Sequence, residues 1–307
     1  MPELPEVETV RRGFHELVAG RQFSQVEVYR DRLVRTQLGG PSEFRARLLG
    51  QNIEGVARRG KFMWLALANG QAMVVHLGMS GQIRPLTKEQ AAGPARRHER
   101  VRFWFQDATE ELAGFSFIDQ RTFGSLQVCD TVPTSDGFPA GWPLASTHLP
   151  LPAAKIARDL LDPYLDTAAV INNWKQRVAP IKTLLLAQNV VSGFGNIYAD
   201  EALFAAKVRG TTPAGALSHK KLQDILDQGA RIMTDSLSRG GTSFDALYVD
   251  VNGESGTFAD YLQVYGRAKQ PCRVCGQELK VIQLAKRSHH YCVSCQRSRS
   301  LPRLEGK

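Results

Sequence analysis

Four cysteines are spaced for metal binding: Cys272 and Cys275 form one Cys-x-x-Cys pair, Cys292 and Cys295 a second, with sixteen residues between the pairs. Two thiolate pairs brought together by an intervening hairpin supply the four soft ligands of a tetrahedral zinc ion. Four sulfurs close the shell and no carboxylate base stands beside it. The expected cofactor is therefore one structural zinc ion per chain, since a ribbon this short cannot fold on apolar area alone. Val281, Ile282 and Leu284 read as strand residues ahead of His289-His290-Tyr291, and the two histidines are expected on the surface or in packing. The fifth cysteine, Cys129, reads as a buried small hydrophobe. An odd total with clustered pairs disfavours a secreted disulfide scaffold.

The second chemical group is the chain start, Met1-Pro2-Glu3-Leu4-Pro5-Glu6. A small penultimate residue permits removal of Met1, which exposes the secondary amine of Pro2 beside two carboxylates. An α-amino group titrates near 8, against about 10.4 for lysine, so it is available as a covalent nucleophile at neutral pH. The plain alternative is an ordinary chain end.

Charge adds a third signal. Lys and Arg number 39 against 30 Asp and Glu, a formal +9. Residues 262–307 hold ten basic and two acidic residues, leaving only +1 for residues 1–261. A basic module presenting Arg273, Lys280, Lys286 and Arg287 suits phosphate, with a merely solvated face as the alternative. No apolar run reaches the 18 residues of a membrane helix, and no basic leader precedes one, so the expected location is cytoplasmic. Hydrophobic residues at 43% supply a core, which argues against wholesale disorder.

Elements must position these groups. Glu6 to Ala19 carries Val7, Val10, Phe14, Leu17 and Val18 at helical spacing, with Pro5 where a first turn tolerates it. Strands are expected at 23–29, 62–67, 72–76, 101–105 and 115–118, with Asn69-Gly70 as a hairpin turn. The prolines between 130 and 152 suit a connection between domains. Beyond it the period becomes helical, with candidate helices at 153–161, 168–174, 180–188, 197–205 and 218–237. The tight joint Asn189 to Asn196 either grips a backbone through exposed N–H groups or simply closes an α-hairpin. Residues 86–100 and 238–257 read as loops. The expected fold class is multidomain α+β: an N-terminal β-sandwich with flanking helices over 1–132, a linker at 133–152, a helical domain at 153–261, a zinc ribbon at 262–296 and a basic tail at 297–307.

The start Met1-Pro2-Glu3-Leu4-Pro5-Glu6-Val7-Glu8-Thr9 resembles that of the bacterial formamidopyrimidine-DNA glycosylases. The likeness continues in order through Lys61-Phe62, His76-Leu77-Gly78-Met79-Ser80-Gly81, Asp119-Gln120-Arg121-Thr122-Phe123-Gly124, Gly193-Phe194-Gly195-Asn196-Ile197-Tyr198-Ala199, Leu262-Gln263-Val264-Tyr265-Gly266-Arg267 and the four cysteines. The resemblance implies a bifunctional glycosylase and abasic-site lyase for oxidised purines, with a helix-two-turn-helix domain before the zinc ribbon. It implies Pro2 as the nucleophile, Glu3 as the acid that opens the sugar, Glu6 orienting the site and its bound water, and Lys61 on a phosphate near the lesion. Asn196, Tyr265, Arg287 and, less directly, Lys182 would hold the DNA backbone. Met79, Arg121 and Phe123 would fill the space left by an extruded nucleotide. Without the resemblance, Lys61 reads as a surface ion pair, Asn196 as a turn cap, Tyr265, Met79 and Phe123 as core, and Arg287 as a solubilising charge. The implied partner is duplex DNA with oxidised purines or abasic sites, met by a monomer in the nucleoid of a bacterium.

The chain departs from the family where Asp-Pro-Arg-Arg-Phe-Gly is common: Gln120 and Thr122 remove a proline and a positive charge from the wedge turn. Residues 240–257 match the lesion-covering loop only loosely. The related oxidised-pyrimidine glycosylases, grouped with endonuclease VIII, typically have Gly at the position of Leu4, so Leu4 and Arg121-x-Phe123 favour the purine enzyme. A zinc-ribbon nucleic-acid binder without catalysis is the reading from another class.

Overall fold

The computed structural model describes residues 2–242 and 250–297. The chain forms two compact units, Met1–Ile156 with Ser236–Ala259, and Ala157–Asp235 with Asp260–Lys307.

In the first unit, α1 (Leu4–Val18) starts with Pro5 in its first turn and buries Val7, Val10, Phe14 and Val18. Strand β1 (Phe23–Val28) leads to α2 (Gly40–Leu48), then to β2 (Ile53–Arg59), β3 (Phe62–Leu67), β4 (Ala72–His76) and β5 (Gly81–Leu86). A short α3 (Lys88–Ala92) precedes β6 (Glu99–Phe105), β7 (Gly114–Asp119) and β8 (Ser125–Cys129). Two four-stranded antiparallel sheets result, ordered β1-β6-β7-β5 and β2-β3-β4-β8. Their inner faces and α1 share one core, in which Phe103 and Phe115 stack at 4.3 Å and Phe14 meets Phe115 edge-on at 5.0 Å. Such aromatic pairs add about 0.5–1.5 kcal/mol each beyond area burial. Cys129 is buried in a satellite cluster with Trp64, and burial pushes its thiol up to about 11.

Strands β2, β5 and β8 were not among the sequence expectations. β2 ends in Arg58-Arg59, which hides its strand pattern, although both side chains are buried. β5 contains Pro85, tolerated because this strand is an edge of its sheet. The stretch expected as a linker instead pairs β9 (Thr131–Pro133) with β10 (His148–Pro150) and buries Ala140 and Leu149 in the Trp64 cluster. It belongs to the first unit.

In the second unit, α4 (Thr167–Lys175), α5 (Ile181–Leu186) and α6 (Asn196–Ala205) coincide with expected helices. The chain leaves this unit within α7 (His219–Leu237). The helix expected at 153–161 is absent. Asp159 and Asp162 accept the N–H groups of Leu161 and Tyr164, local bonds that compete with a helix, and Ser192 donates its backbone N–H to Arg158. Strands β11 (Lys280–Leu284) and β12 (Arg287–Tyr291) form the ribbon. Phe204, Val264 and Leu279 pack with Cys272 and Cys292, so ribbon and helices share a core, unlike the separate domains expected. The tail from Ser298 lies outside the described residues.

Candidate active site

The first helix begins under unusual control. Glu3 and Glu6 are both buried, and Glu6 Oε2 accepts the Glu3 backbone N–H at 3.0 Å, half of a capping box. Glu6 Oε1 accepts the backbone N–H and the hydroxyl of Thr242, each at 2.8 Å. A Cβ on Gly241, whose φ is +87°, would come within 3.0 Å of that same oxygen. One carboxylate therefore fixes the backbone beside Pro2 and anchors the residue entering 243–249, a segment outside the described residues. Thr242 is a partner that sequence reasoning missed, because 236 positions separate it from Glu6.

Lys61 stands half-buried in the turn between β2 and β3, following Gly60 at φ +58°. Arg58 donates Nη1 to the Gly60 carbonyl at 3.1 Å and Nε to Glu8 at 2.8 Å, so the turn and α1 share one guanidinium.

Met79 is 38% and Phe123 47% exposed, which removes both from the core. Arg121 is exposed between them. Asp119, fully buried, builds the platform: it accepts the Ser80 hydroxyl, the Arg121 N–H at 3.2 Å and the Gly124 N–H at 2.8 Å. Gly78 (φ +62°) lies against the same turn, where an added Cβ would meet Gly124 N at 2.6 Å. Arg35 donates to the carbonyl of Gly124 at 2.6 Å and Arg100 to that of Asp119 at 2.8 Å. Neither arginine carries a sequence signal for this task. Thr122 sits at φ +54°, a costly conformation for a β-branched residue.

In the second unit, Gln188 (φ +60°) folds the joint between α5 and α6 by accepting from Gly193 N–H and donating to the Phe194 carbonyl. Asn196 is the first residue of α6, and its Nδ2 donates to Ser288 Oγ on β12 at 2.9 Å, so it links helix to ribbon instead of capping the turn. Arg287 is exposed at the start of β12, beside a hairpin turn whose Ala285 and Lys286 both have positive φ. Tyr265 is half-buried with its ring edge-on to His290 at 4.9 Å. Its backbone N–H and those of Gln263 and Val264 all donate to Glu201, an anchor not anticipated from sequence. Burial pushes the Glu201 carboxyl up against the lowering effect of those donors.

Lys182 departs from expectation. It is fully buried, with Nζ 2.6 Å from Asp200 Oδ1 and 2.5 Å from the Ser288 carbonyl. An ammonium so enclosed holds protein together and is not presented to phosphate. Asp200 also bonds His289 Nδ1 at 2.6 Å and the His290 N–H at 2.8 Å. Burial alone would raise its carboxyl; the two histidines and the Lys182 charge outweigh that and hold it below the ordinary aspartate range.

Those contacts occupy the histidines away from the cysteines. The sulfurs of Cys272, Cys275, Cys292 and Cys295 all lie within 4.8 Å of one another, close enough to hold a metal ion.

Two family models match the chain: the formamidopyrimidine-DNA glycosylase N-terminal domain over residues 1–126 and its H2TH domain over 156–247. The chain belongs to the formamidopyrimidine-DNA glycosylase family. It is 48% identical over 298 residues to the formamidopyrimidine-DNA glycosylase of Mycolicibacterium gilvum, covering 96% of this chain and 98% of that one. The Mycolicibacterium smegmatis protein of the same name is 47% identical, covering 99% and 100%. Among solved structures, the Lactococcus lactis Fpg in complex with abasic-site DNA aligns over 97% of this chain and 100% of that chain, at TM-score 0.79 and 27% identity. MutM in complex with DNA containing carbocyclic 8-oxo-G aligns over the same shares at TM-score 0.78 and 27% identity. No helix among the described residues is long and apolar enough to cross a membrane.

Proposed function

We propose that this protein is a base excision repair enzyme that removes oxidised purines, 8-oxoguanine and formamidopyrimidines, from duplex DNA and then cleaves the abasic strand. Near full-length family membership carries the reading. The buried Glu3-Glu6 helix start beside Pro2 supports the chemistry assigned to it.

With Met1 removed, the Pro2 nitrogen attacks C1′ of the damaged nucleotide. Glu3 protonates the sugar ring oxygen as the ring opens, the glycosidic bond breaks and the base leaves with its electron pair. The iminium linking Pro2 to C1′ then acts as an electron sink: loss of a C2′ proton expels the 3′ phosphate, and a second elimination expels the 5′ phosphate. A one-nucleotide gap remains. An enzyme that used water as nucleophile would stop at the abasic site, so the amine is what joins the two activities.

Glu6 keeps the Glu3 backbone in place and orients the site, and Lys61 holds a phosphate near the lesion. Reaching C1′ requires extrusion of the nucleotide, at a cost of a few kcal/mol for an intact stack. Met79 and Phe123 are suited to enter the opened stack and Arg121 to donate to the widowed base, because all three are exposed on two adjoining turns that Asp119 ties together, one through Ser80 and the other through Arg121 and Gly124. Arg287, Asn196 and Tyr265 serve the phosphate backbone. Asn196 Nδ2 donates to Ser288 Oγ at 2.9 Å, which ties the start of α6 to β12 beside Arg287.

The four sulfurs would hold one zinc ion, whose contribution is to fasten the ribbon; every chemical step above belongs to other residues. One isolated lesion needs one active site, so the enzyme acts as a monomer, at the nucleoid in the bacterial cytoplasm.

The test is strand cleavage of duplexes carrying 8-oxoguanine opposite cytosine, beside duplexes carrying an oxidised pyrimidine, using zinc-loaded protein with Met1 removed. Preferential nicking at 8-oxoguanine is expected. Binding with no nicking of either would remove the enzymatic reading, and preference for the pyrimidine would move the chain to the endonuclease VIII class.

A further inference from the structure

A buried ionic cluster beneath α1 has no part in the chemistry described so far. Glu8, Arg11 and Arg58 are at most 5% exposed. Glu8 Oε2 accepts Arg11 Nε at 2.9 Å and Arg58 Nε at 2.8 Å, while Oε1 accepts Arg11 Nη2 at 3.1 Å and Arg12 Nε at 3.0 Å. Three guanidinium groups thus converge on one carboxylate. Burial alone would raise Glu8, but the hydrogen bonds and charges of Arg11 and Arg58 hold it at about 2.

Such a cluster is an inefficient fastening. Desolvating two guanidinium groups and a carboxylate costs several kcal/mol per ion, and well-packed apolar residues of similar volume often stabilise as well or better. A hydrophobic contact is non-directional, however, whereas a fork of N–H groups fixes distance and angle. The partners indicate what is being fixed. Arg11 Nη1 reaches the Val56 carbonyl on β2 at 3.1 Å, and Arg58 Nη1 reaches the Gly60 carbonyl, the residue before Lys61. The end of β2 is already clamped on its other side, where Arg58 and Trp142 exchange backbone hydrogen bonds and Arg59 donates to the Ala140 carbonyl. What Arg58 adds is a link from that turn to α1. Glu8 lies five residues after Glu3, about 7.5 Å along the helix axis at 1.5 Å per residue. The path from the Pro2-Glu3 helix start to Lys61 therefore runs through one short rigid helix segment, one carboxylate and one guanidinium.

We propose that Glu8 and Arg58 are positioning residues that set the placement of Lys61 relative to the Pro2 amine. This rests on the roles given above to Pro2 and Lys61. Neither residue touches DNA; they act by holding two separate backbone segments in one register. Displacement of a reacting group by about 1 Å costs on the order of 100-fold in rate, so a loosened link reads out in chemistry before it reads out in binding.

The variant Arg58→Met removes the link while leaving Glu8 paired with Arg11 and Arg12. Single-turnover excision of 8-oxoguanine, borohydride trapping and affinity for a duplex with a tetrahydrofuran abasic analogue are measured for wild type, Arg58→Met, Lys61→Ala and the double variant. Arg58→Met is expected to slow excision and trapping at least tenfold, with affinity within twofold of wild type. The double variant is expected to be no slower than Lys61→Ala alone, the non-additivity of residues acting through one another. A purely structural Arg58 would lower the melting temperature and multiply with Lys61→Ala, which overturns the proposal, as does a wild-type rate. If Arg58→Met does not fold, Arg58→Lys serves the same cycle: it keeps a charge on Glu8 but lacks the fork that spans Glu8 and Gly60, and the same non-additivity is required. Absence of a Pro2-dependent adduct in the wild type would instead overturn the underlying functional reading.

Discussion

Asp119 gives the sharpest test of the proposed wedge of Met79, Arg121 and Phe123. This carboxylate is fully buried and uses both oxygens, Oδ1 on the Ser80 hydroxyl and the Arg121 N–H, and Oδ2 on the Gly124 N–H at 2.8 Å. Asp119→Asn keeps shape and volume but offers one acceptor oxygen. With the amide oxygen on the Ser80 side, the NH2 group opposes the Gly124 N–H and leaves that donor unsatisfied; turned the other way, it opposes the Arg121 N–H, and the Ser80 hydroxyl must switch from donor to acceptor. Leaving a buried donor unsatisfied costs about 1–3 kcal/mol, which lowers the population of the correct turn roughly five- to 150-fold. The assay is stopped-flow fluorescence of 2-aminopurine placed beside 8-oxoguanine in a duplex, which reports unstacking as the nucleotide leaves. Extrusion is expected to slow by a factor in that range, and Phe123→Ala is expected to slow it too. Cleavage of a single-stranded oligonucleotide with an abasic site, which needs no extrusion, is expected to stay at the wild-type rate. Wild-type extrusion by Asp119→Asn, or an equal loss on the single strand, would refute the platform role.

Glu8, with its carboxyl lowered to about 2 from 4.5, contributes stability that is fully present above pH 4.5 and lost as pH falls toward 2, about 3 kcal/mol in all. In urea melts the gap between wild type and Glu8→Gln should therefore narrow across that window; a gap constant from pH 7 to 2.5 would contradict it. Thr122→Asn should relieve the positive φ, since asparagine tolerates the left-handed region, and raise stability by up to about 1 kcal/mol, or about 2–4 °C in melting temperature. Cys275→Ser should lower the zinc content of the purified protein and weaken DNA binding before it alters the chemical step. Zinc content measured with a chromophoric chelator, together with duplex affinity, checks this.

What could be read from the chain was what local pattern encodes. Val7, Val10, Phe14 and Val18 mark α1 because apolar residues recur at the helical period, and two Cys-x-x-Cys pairs mark a sulfur cluster able to hold a metal ion because tetrahedral thiolate coordination demands that spacing. Two of the unrecognised strands break the strand pattern for a tertiary reason: Arg58-Arg59 in β2 are charges with buried partners, and Pro85 of β5 sits on an edge; β8, by contrast, alternates as Ser125-Leu126-Gln127-Val128-Cys129 and was legible. The family resemblance places Lys182 on the DNA backbone, yet its side chain is fully buried and paired. Its partners, Asp200 and the Ser288 carbonyl, come from α6 and β12, and no sequence spacing announces them. Glu6 with Thr242 and Glu201 with residues 263–265 are equally silent, since the topology alone brings these groups together.

The central claim is that a processed N-terminal proline is the covalent nucleophile. The direct measurement is borohydride reduction of the reaction with 8-oxoguanine duplex, followed by proteolysis and mass spectrometry of the adduct. A sugar-derived mass on the peptide beginning at Pro2, absent from Pro2→Gly, is the expected result. An adduct on Lys61 or any other lysine, or base release with no adduct at all, would contradict it.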